Sequence, residues 1–321
     1  MSNVSRQPIL SIVIANYNYG RFLESAICSV LQQCDRPRVD ENRRVALPVR
    51  GVDDVTVELI ICDAKSGDNS LEIIKKYDSF ITWWCSEKDG GQSSAFNKGF
   101  SHSTGQYLTW LNADEEYLPG TFTAFWKKVK RNPSAKWVTG NLLEFKEDTR
   151  EITRVSWGPH FQPFFLRGNH ASIAVFGPSS FIRKDLYQEI GPINERFHYS
   201  MDLEYWARIT LAGIPQTRLN YVCWAFGIHP DSVSLGEMTP EKLKAGRAEN
   251  RERETRLGYT YKNKCTNPWY LLWMFCRIID GSLFVRAWKR MRYIGKHFPG
   301  CMSEGASKNN DAGTPSEARQ N

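Results

Sequence analysis

No apolar run in this sequence is long enough to cross a bilayer. The longest, PWYLLWMFC from Pro268 to Cys276, stops after nine residues, and Arg277 and Asp280 interrupt its continuation; a spanning helix needs about 20. An integral membrane protein is therefore not expected. Several catalytic signatures are missing too. There is no Gly-x-Gly-x-x-Gly after a strand, no Walker A Lys-Ser/Thr, no His-Glu-x-x-His and no Gly-x-Ser-x-Gly, so dehydrogenase, P-loop, zincin and common hydrolase chemistries lack a carrier. The eight cysteines form no Cys-x-x-Cys pair, and Cys62 sits in an apolar run like a small core residue. Reduced thiols in a cytosolic compartment are the expectation. The opening MSNVSRQP is polar and leads straight into a strand, so no secretory leader is expected. No internal repeat is present.

What is there suits a globular α/β protein. The chain has 321 residues, 41% of them hydrophobic, enough for one large domain with an appendage. Its net charge of +7 fits an acidic partner: a phosphorylated substrate, an anionic membrane or nucleic acid. Nucleic acid is set aside, because Lys and Arg are spread along the chain with no interleaved basic-aromatic module before the C-terminal segment.

Apolar period organises the N-terminal half. Ile9 to Ala15 is a β-branched run, Phe22 to Leu31 has helical spacing, and Val57 to Cys62 is a second buried strand. A helix follows from Leu71, a strand from Ile81 to Cys85, a helix from Ser93 to Phe100 and a strand from Tyr107 to Leu111. This βαβα alternation predicts a mostly parallel sheet. Polar clusters follow Ala15, Cys62 and Leu111, at the carboxyl ends of strands, where open α/β sheets bind ligands. The interval between Cys34 and Thr56 is polar and Arg-rich without a clear period, and reads as a surface insertion. Pro240 to Arg256 is densely charged and reads as a solvated helix; Ser303 to Asn321 reads as a disordered tail. Asn267 to His297 mixes aromatics with Arg286, Lys289, Arg290, Arg292 and Lys296, a composition for an anionic membrane surface or for a helical hairpin packed on the domain.

Three acidic clusters carry candidate chemistry. In WLNADEE, a buried strand delivers Asp114, Glu115 and Glu116 together; such acids bind a hard cation or favour a helix N-terminus. In DAKSGDNS, Asp68 reads as a helix cap, while Asp63 at the strand tip is an acceptor for a nucleobase N–H. In MDLEYWAR, the apolar neighbours of Asp202 would raise its pKa and make it a better general base, and Glu204 with Arg208 reads as an i,i+4 salt bridge. His229 reads as a loop residue, with metal or phosphate contact as the alternative.

In this order the motifs resemble the inverting family-2 glycosyltransferases of the GT-A fold, which build capsule, O-antigen and related cell-envelope glycans. SIVIANYNYGRFLESAICSVLQQ resembles the family's opening strand and helix, VELIICDAKSGDNSLEIIKKY its second strand, SEKDGGQSSAFNKGFSHSTGQYLTWLNADE its donor loop and Asp-x-Asp-type strand, and GPSSFIRKDLYQEIGPINERFHYSMDLEYWARI its acceptor segment. The resemblance implies a Rossmann-like nucleotide-diphospho-sugar transferase domain over 1–235, with 35–56 inserted. A helical, membrane-associating extension over 236–300 and a tail over 301–321 follow. It implies donor contacts by Ala15, Tyr17, Asp63, Asp89, Gln92, Asn97 and Asn112, and Mg²⁺ or Mn²⁺ on Asp114 with His229. Asp202 takes the general-base position. The first acid of the metal motif is here Asn112, and Met201 replaces the acid usual before the catalytic aspartate. The implied donor is a nucleotide-diphosphate sugar, a UDP-sugar before others, and the implied acceptor a glycan or polyprenyl-linked hydroxyl at the cytoplasmic membrane face. The rival reading is a non-catalytic nucleotide-sugar-binding scaffold for another transferase.

Overall fold

The computed structural model describes residues 7–39, 44–156, 177–232, 239–258 and 291–299, with Phe275, Ile278 and Phe284. The expected tail and most of the aromatic-basic segment lie outside these residues.

Three buried runs form the parallel heart of one sheet. β1 (Leu10–Asn16) lies between β4 (Thr56–Asp63) and β6 (Tyr107–Asn112), parallel to both. On β1, Leu10, Ile12 and Ile14 point into one core layer and Val13 into the other, the period of two that a strand imposes. Covered on both faces, these strands read as near-continuous apolar runs. The first layer is closed by α1 (Gly20–Leu31), α2 (Ser70–Lys76) and α4 (Thr121–Arg131); the second by α3 (Gln92–His102), α5 (Lys184–Ile190) and α6 (Met201–Leu211). Gly99 lets α3 lie close to β1: a Cβ there would fall 2.3 Å from Val13 Cγ1.

Among the described residues the sheet has eleven strands. β5 (Trp83–Ser86) adds in parallel to β4. Beyond β6 come β10 (Ser180–Arg183), β8 (Trp137–Lys146), β11 (Gln216–Ile228) and β7 (Glu115–Tyr117), with β9 (Ile152–Ser156) on the flank of β8. β10 pairs antiparallel with β6 and β8, whereas β8 and β11 run parallel with register breaks between Arg218 and Trp224. The expected mostly parallel α/β sheet flanked by helices is present.

Three of these readings gain local detail. In the Arg-rich interval, β2 (Arg38–Val39) and β3 (Val45–Pro48) form an antiparallel edge, and Leu47 pairs with Val57 of β4. The acids after β6 do not open a helix: Glu115 and Glu116 lie in β7, paired antiparallel with Phe226 and Ala225. Residues 240–257 do form a helix, α7 (Pro240–Leu257), yet it docks on the domain, with Arg253 buried.

Candidate functional site

A cleft of about 750 Å³ opens where β1, β6 and the start of α3 face the N-terminus of α6. The location follows from the fold, because parallel strands present their carboxyl ends on one side. Ala15, Tyr17, Asp89, Gln92, Asn112, Asp114 and Asp202 all line it.

Each is held locally. Ala15, one residue before the end of β1, lies opposite Asn112 of β6, and its small side chain leaves the cleft floor open. Asp89 accepts the Gly91 N–H at 2.8 Å, which braces the turn before α3; Gly91 has φ 105°, a conformation open to glycine. The Gln92 amide donates to Asn112 Oδ1, joining the start of α3 to the tip of β6. Tyr17 is 60% exposed at the rim.

Asp114 meets His229, the imidazole Nε2 lying 3.1 Å from its Oδ2. Residues far apart in sequence meet because β11 carries the chain back past β7 to the tip of β6. His229 is buried, packed on Phe22 at 4.5 Å and Tyr19 at 5.9 Å between ring centroids. Its Nδ1 has no hydrogen-bond partner among the described residues, an exception to the usual satisfaction of buried polar atoms. Glu115 turns back to accept the Asn112 N–H at 2.8 Å. Burial, then the neighbouring charge of Asp114, raises its pKa well above the ordinary carboxylate range. Glu116 is committed to Arg150 at 2.9 Å. One carboxylate and one imidazole are thus set together, and no group of three metal-binding side chains occurs among the described residues.

Asp202 stands in the first turn of α6. Burial raises its pKa, while the Leu203 N–H and the Arg253 charge act in the opposite sense. Its helix is fixed to β6, the strand that leads to Asp114, by stacked indoles: Trp206 lies on Trp110 with centroids 5.0 Å apart and planes at 5°, and on Trp137 of β8 at 5.9 Å. The i,i+4 pair of Glu204 and Arg208 forms at 3.0 Å, as its spacing predicts.

Two predicted donor residues are not on the cleft wall. The Asp63 carboxylate accepts from Asn16, from the N–H and hydroxyl of Ser66, and from Ser86, directly behind the wall residues Asn16, Ala64 and Lys65. Asn97, a turn into α3, donates to Ile193 O at 2.8 Å and Glu195 at 3.0 Å and accepts from Tyr187 and the Ile193 N–H. It ties α3 to the loop after α5. Asp68 accepts from Ser70 at the start of α2 and from the Gly20 N–H of α1 at 2.8 Å, so the expected cap serves two helices. Wall residues that sequence reasoning passed over include Tyr19, Lys65, Lys88, Glu144, His198 and Trp224. Lys65 had a usable signal, its place in the polar turn after β4; Glu144 and Trp224 lie within long strands and had none.

The family model described as glycosyl transferase family 2 matches residues 11–191, more than half of the chain. The chain belongs to glycosyl transferase family 2. This glycosyltransferase is 22% identical to the chondroitin synthase of Pasteurella multocida over 278 residues, 80% of this chain and 25% of the synthase. It is 23% identical to a hyaluronan synthase of the same organism over 278 residues, 82% of this chain and 25% of that enzyme. The chain thus spans about a quarter of the length of these relatives. Among solved structures it resembles S. aureus TarS 1-349, with a TM-score of 0.50 at 13% identity over 77% of this chain and 72% of that one, a likeness of fold. Among the described residues of the glycosyltransferase, no helix is long and apolar enough to cross a membrane.

Proposed function

We propose that this glycosyltransferase moves a sugar from a nucleotide-diphosphate sugar to a hydroxyl acceptor by a single displacement that inverts the anomeric carbon. One observation carries the reading: a half-buried aspartate of raised pKa, Asp202, faces the same cleft as Asp114, which His229 meets from behind the wall. Asp202 takes the acceptor proton. Burial of that carboxylate makes it a stronger base than an ordinary aspartate.

The nucleotide occupies the strand-end half of the cleft, with Tyr17 at the rim and Ala15 and Asn112 on the floor. Asp63 supports this half from behind by orienting Asn16 and the Ser66 turn. A divalent cation fits the pair beside that half, since His229 Nε2 already faces the Asp114 carboxylate and sets one nitrogen donor beside one oxygen donor. Mixed nitrogen and oxygen donors suit Mn²⁺ better than Mg²⁺, which prefers oxygen alone. When bound, the ion would neutralise charge on the departing nucleoside diphosphate. With only two protein ligands, metal binding is expected to be weak until a diphosphate contributes oxygens. Residues 1–235, on this reading, form the catalytic domain, working where nucleotide sugars are made, on the cytoplasmic side. A UDP-sugar leads the donor classes, and glycan or lipid-linked hydroxyls lead the acceptors.

A panel of UDP-, GDP- and dTDP-sugars tests the reading, with nucleoside diphosphate release followed with and without Mn²⁺. Release of one nucleotide that requires Asp114 and Asp202 is expected. Absence of both release and nucleotide binding across the panel would replace it with the non-catalytic scaffold.

A further inference from the structure

Helix α7 looks at first like a solvated appendage. Thr239 caps it by accepting the Lys242 N–H, Pro240 opens it, and Gly258 ends it with φ 67°. Its composition is densely charged, but Gly246, Glu249 and Arg253 fall at i, i+3 and i+7 and so share one face. That face meets α6. A Cβ on Gly246 would lie 3.9 Å from Tyr199 Cβ, an ordinary contact. Glu249 Oε1 accepts the His198 N–H at 2.8 Å, and Oε2 accepts the N–H groups of Tyr199 at 2.9 Å and Ser200 at 3.1 Å and the Ser200 hydroxyl at 3.2 Å. Arg196 adds an ion pair with Glu252 at 3.2 Å.

Three consecutive backbone donors therefore converge on one carboxylate from a distant helix. These donors lead into α6, whose N-cap is Ser200, and a negative charge there complements the helix dipole. Ser200, the residue preceding α6, makes no side-chain cap of its own; its hydroxyl is turned to Glu249. The residues so gripped belong to the cleft, since His198, Tyr199, Met201 and Asp202 all line it.

We propose that Glu249 is a positioning residue for sugar transfer: its carboxylate fixes backbone 198–200, and through it the first turn of α6, the Asp202 carboxylate and the His198–Tyr199 wall. This rests on Asp202 as the base. It makes α7 part of the catalytic unit, although the helix lies well beyond the strands that form the donor half.

The test compares wild type, Glu249→Ala, Glu249→Gln and Asp202→Asn in the full chain. Three readouts are taken: turnover of the UDP-sugar that the wild type hydrolyses fastest, UDP binding with Mn²⁺ by calorimetry, and hydrogen exchange of amides 198–203. Displacing a catalytic group by about 1 Å costs on the order of 10²-fold in rate. Glu249→Ala is therefore expected to lose roughly 10–100-fold in kcat, to keep its UDP Kd within about twofold, and to expose those amides. Glu249→Gln, which keeps one carbonyl acceptor but sets its NH₂ against a backbone donor, should recover part of the rate and of the protection. Wild-type kcat or unchanged exchange in Glu249→Ala, with Asp202→Asn inactive, overturns this proposal alone. Equal loss of UDP binding in Glu249→Ala also overturns it, showing a support of the whole cleft instead. Full turnover by Asp202→Asn overturns both this proposal and the base on which it rests.

Discussion

The two walls of the cleft are built by different means. On the strand-end side, β1, β4 and β6 are parallel neighbours whose register runs unbroken from Leu10 to Ala15, and each polar tip follows its own strand in sequence. On the Asp202 side, antiparallel β10, irregular β11 and the first turn of α6 are held by contacts between residues far apart: Trp110 with Trp206, and Glu249 with residues 198–200. The first wall is a consequence of strand order. The second depends on particular side chains, so single substitutions should damage it more.

The largest effect that would sharpen this contrast lies at Asp202. Asp202→Asn should lower kcat by about 10²–10⁴-fold while donor binding stays near wild type. The wild-type rate should fall as pH drops through a pKa above the ordinary aspartate range, because burial raises it and only the ionised carboxylate accepts a proton. An acidic limb in the normal carboxylate range would count against the buried base.

Next comes Trp206, whose removal tests the indole stack. Large-to-small substitution of a buried aromatic costs about 3–5 kcal/mol, and Trp206→Ala should show that loss in urea unfolding. A loss under about 1 kcal/mol would mean that α6 is held by other contacts.

Smaller again, Asp114→Ala or His229→Ala should weaken Mn²⁺-dependent UDP binding by roughly 100-fold, since even supporting groups of a metal site contribute about 10–100-fold. Chelation of the ion should weaken wild-type binding to the same level. UDP binding indifferent to Mn²⁺ would remove the metal from this flank.

The smallest effect is expected at Asn97. Its bonds to Ile193, Glu195 and Tyr187 predict that Asn97→Ala costs about 1–3 kcal/mol of stability and leaves donor affinity unchanged, readable by calorimetry on the folded variant. A tenfold loss of donor affinity without loss of stability would return Asn97 to the donor site.

Most of the strand-end wall was legible in the sequence. β-branched runs gave β1 and β4, helical spacing gave α1, and the polar residues at the strand tips are the ones that line the cleft. Asp63 and Asn97 show the limit of that reading. Both occupy the right neighbourhood, yet their hydrogen bonds run to Ser66, Ser86 and Ile193, partners that no local period reveals. The β7 strand was hidden because three acids in a row resemble a helix start; its strand character comes from β11, more than a hundred residues later. The role of α7 was hidden for a related reason. A helix rich in Glu and Arg reads as solvated unless the backbone donors that meet Glu249 are known.

The most direct test of the account is titration of UDP into wild type, Asp202→Asn and Asp114→Ala in the presence of Mn²⁺, paired with donor turnover by each. The account predicts equal UDP affinity in wild type and Asp202→Asn, turnover only in the wild type, and affinity lowered in Asp114→Ala. UDP binding lost equally in Asp202→Asn and Asp114→Ala would contradict it, because the cleft would then have no separate base and donor flanks.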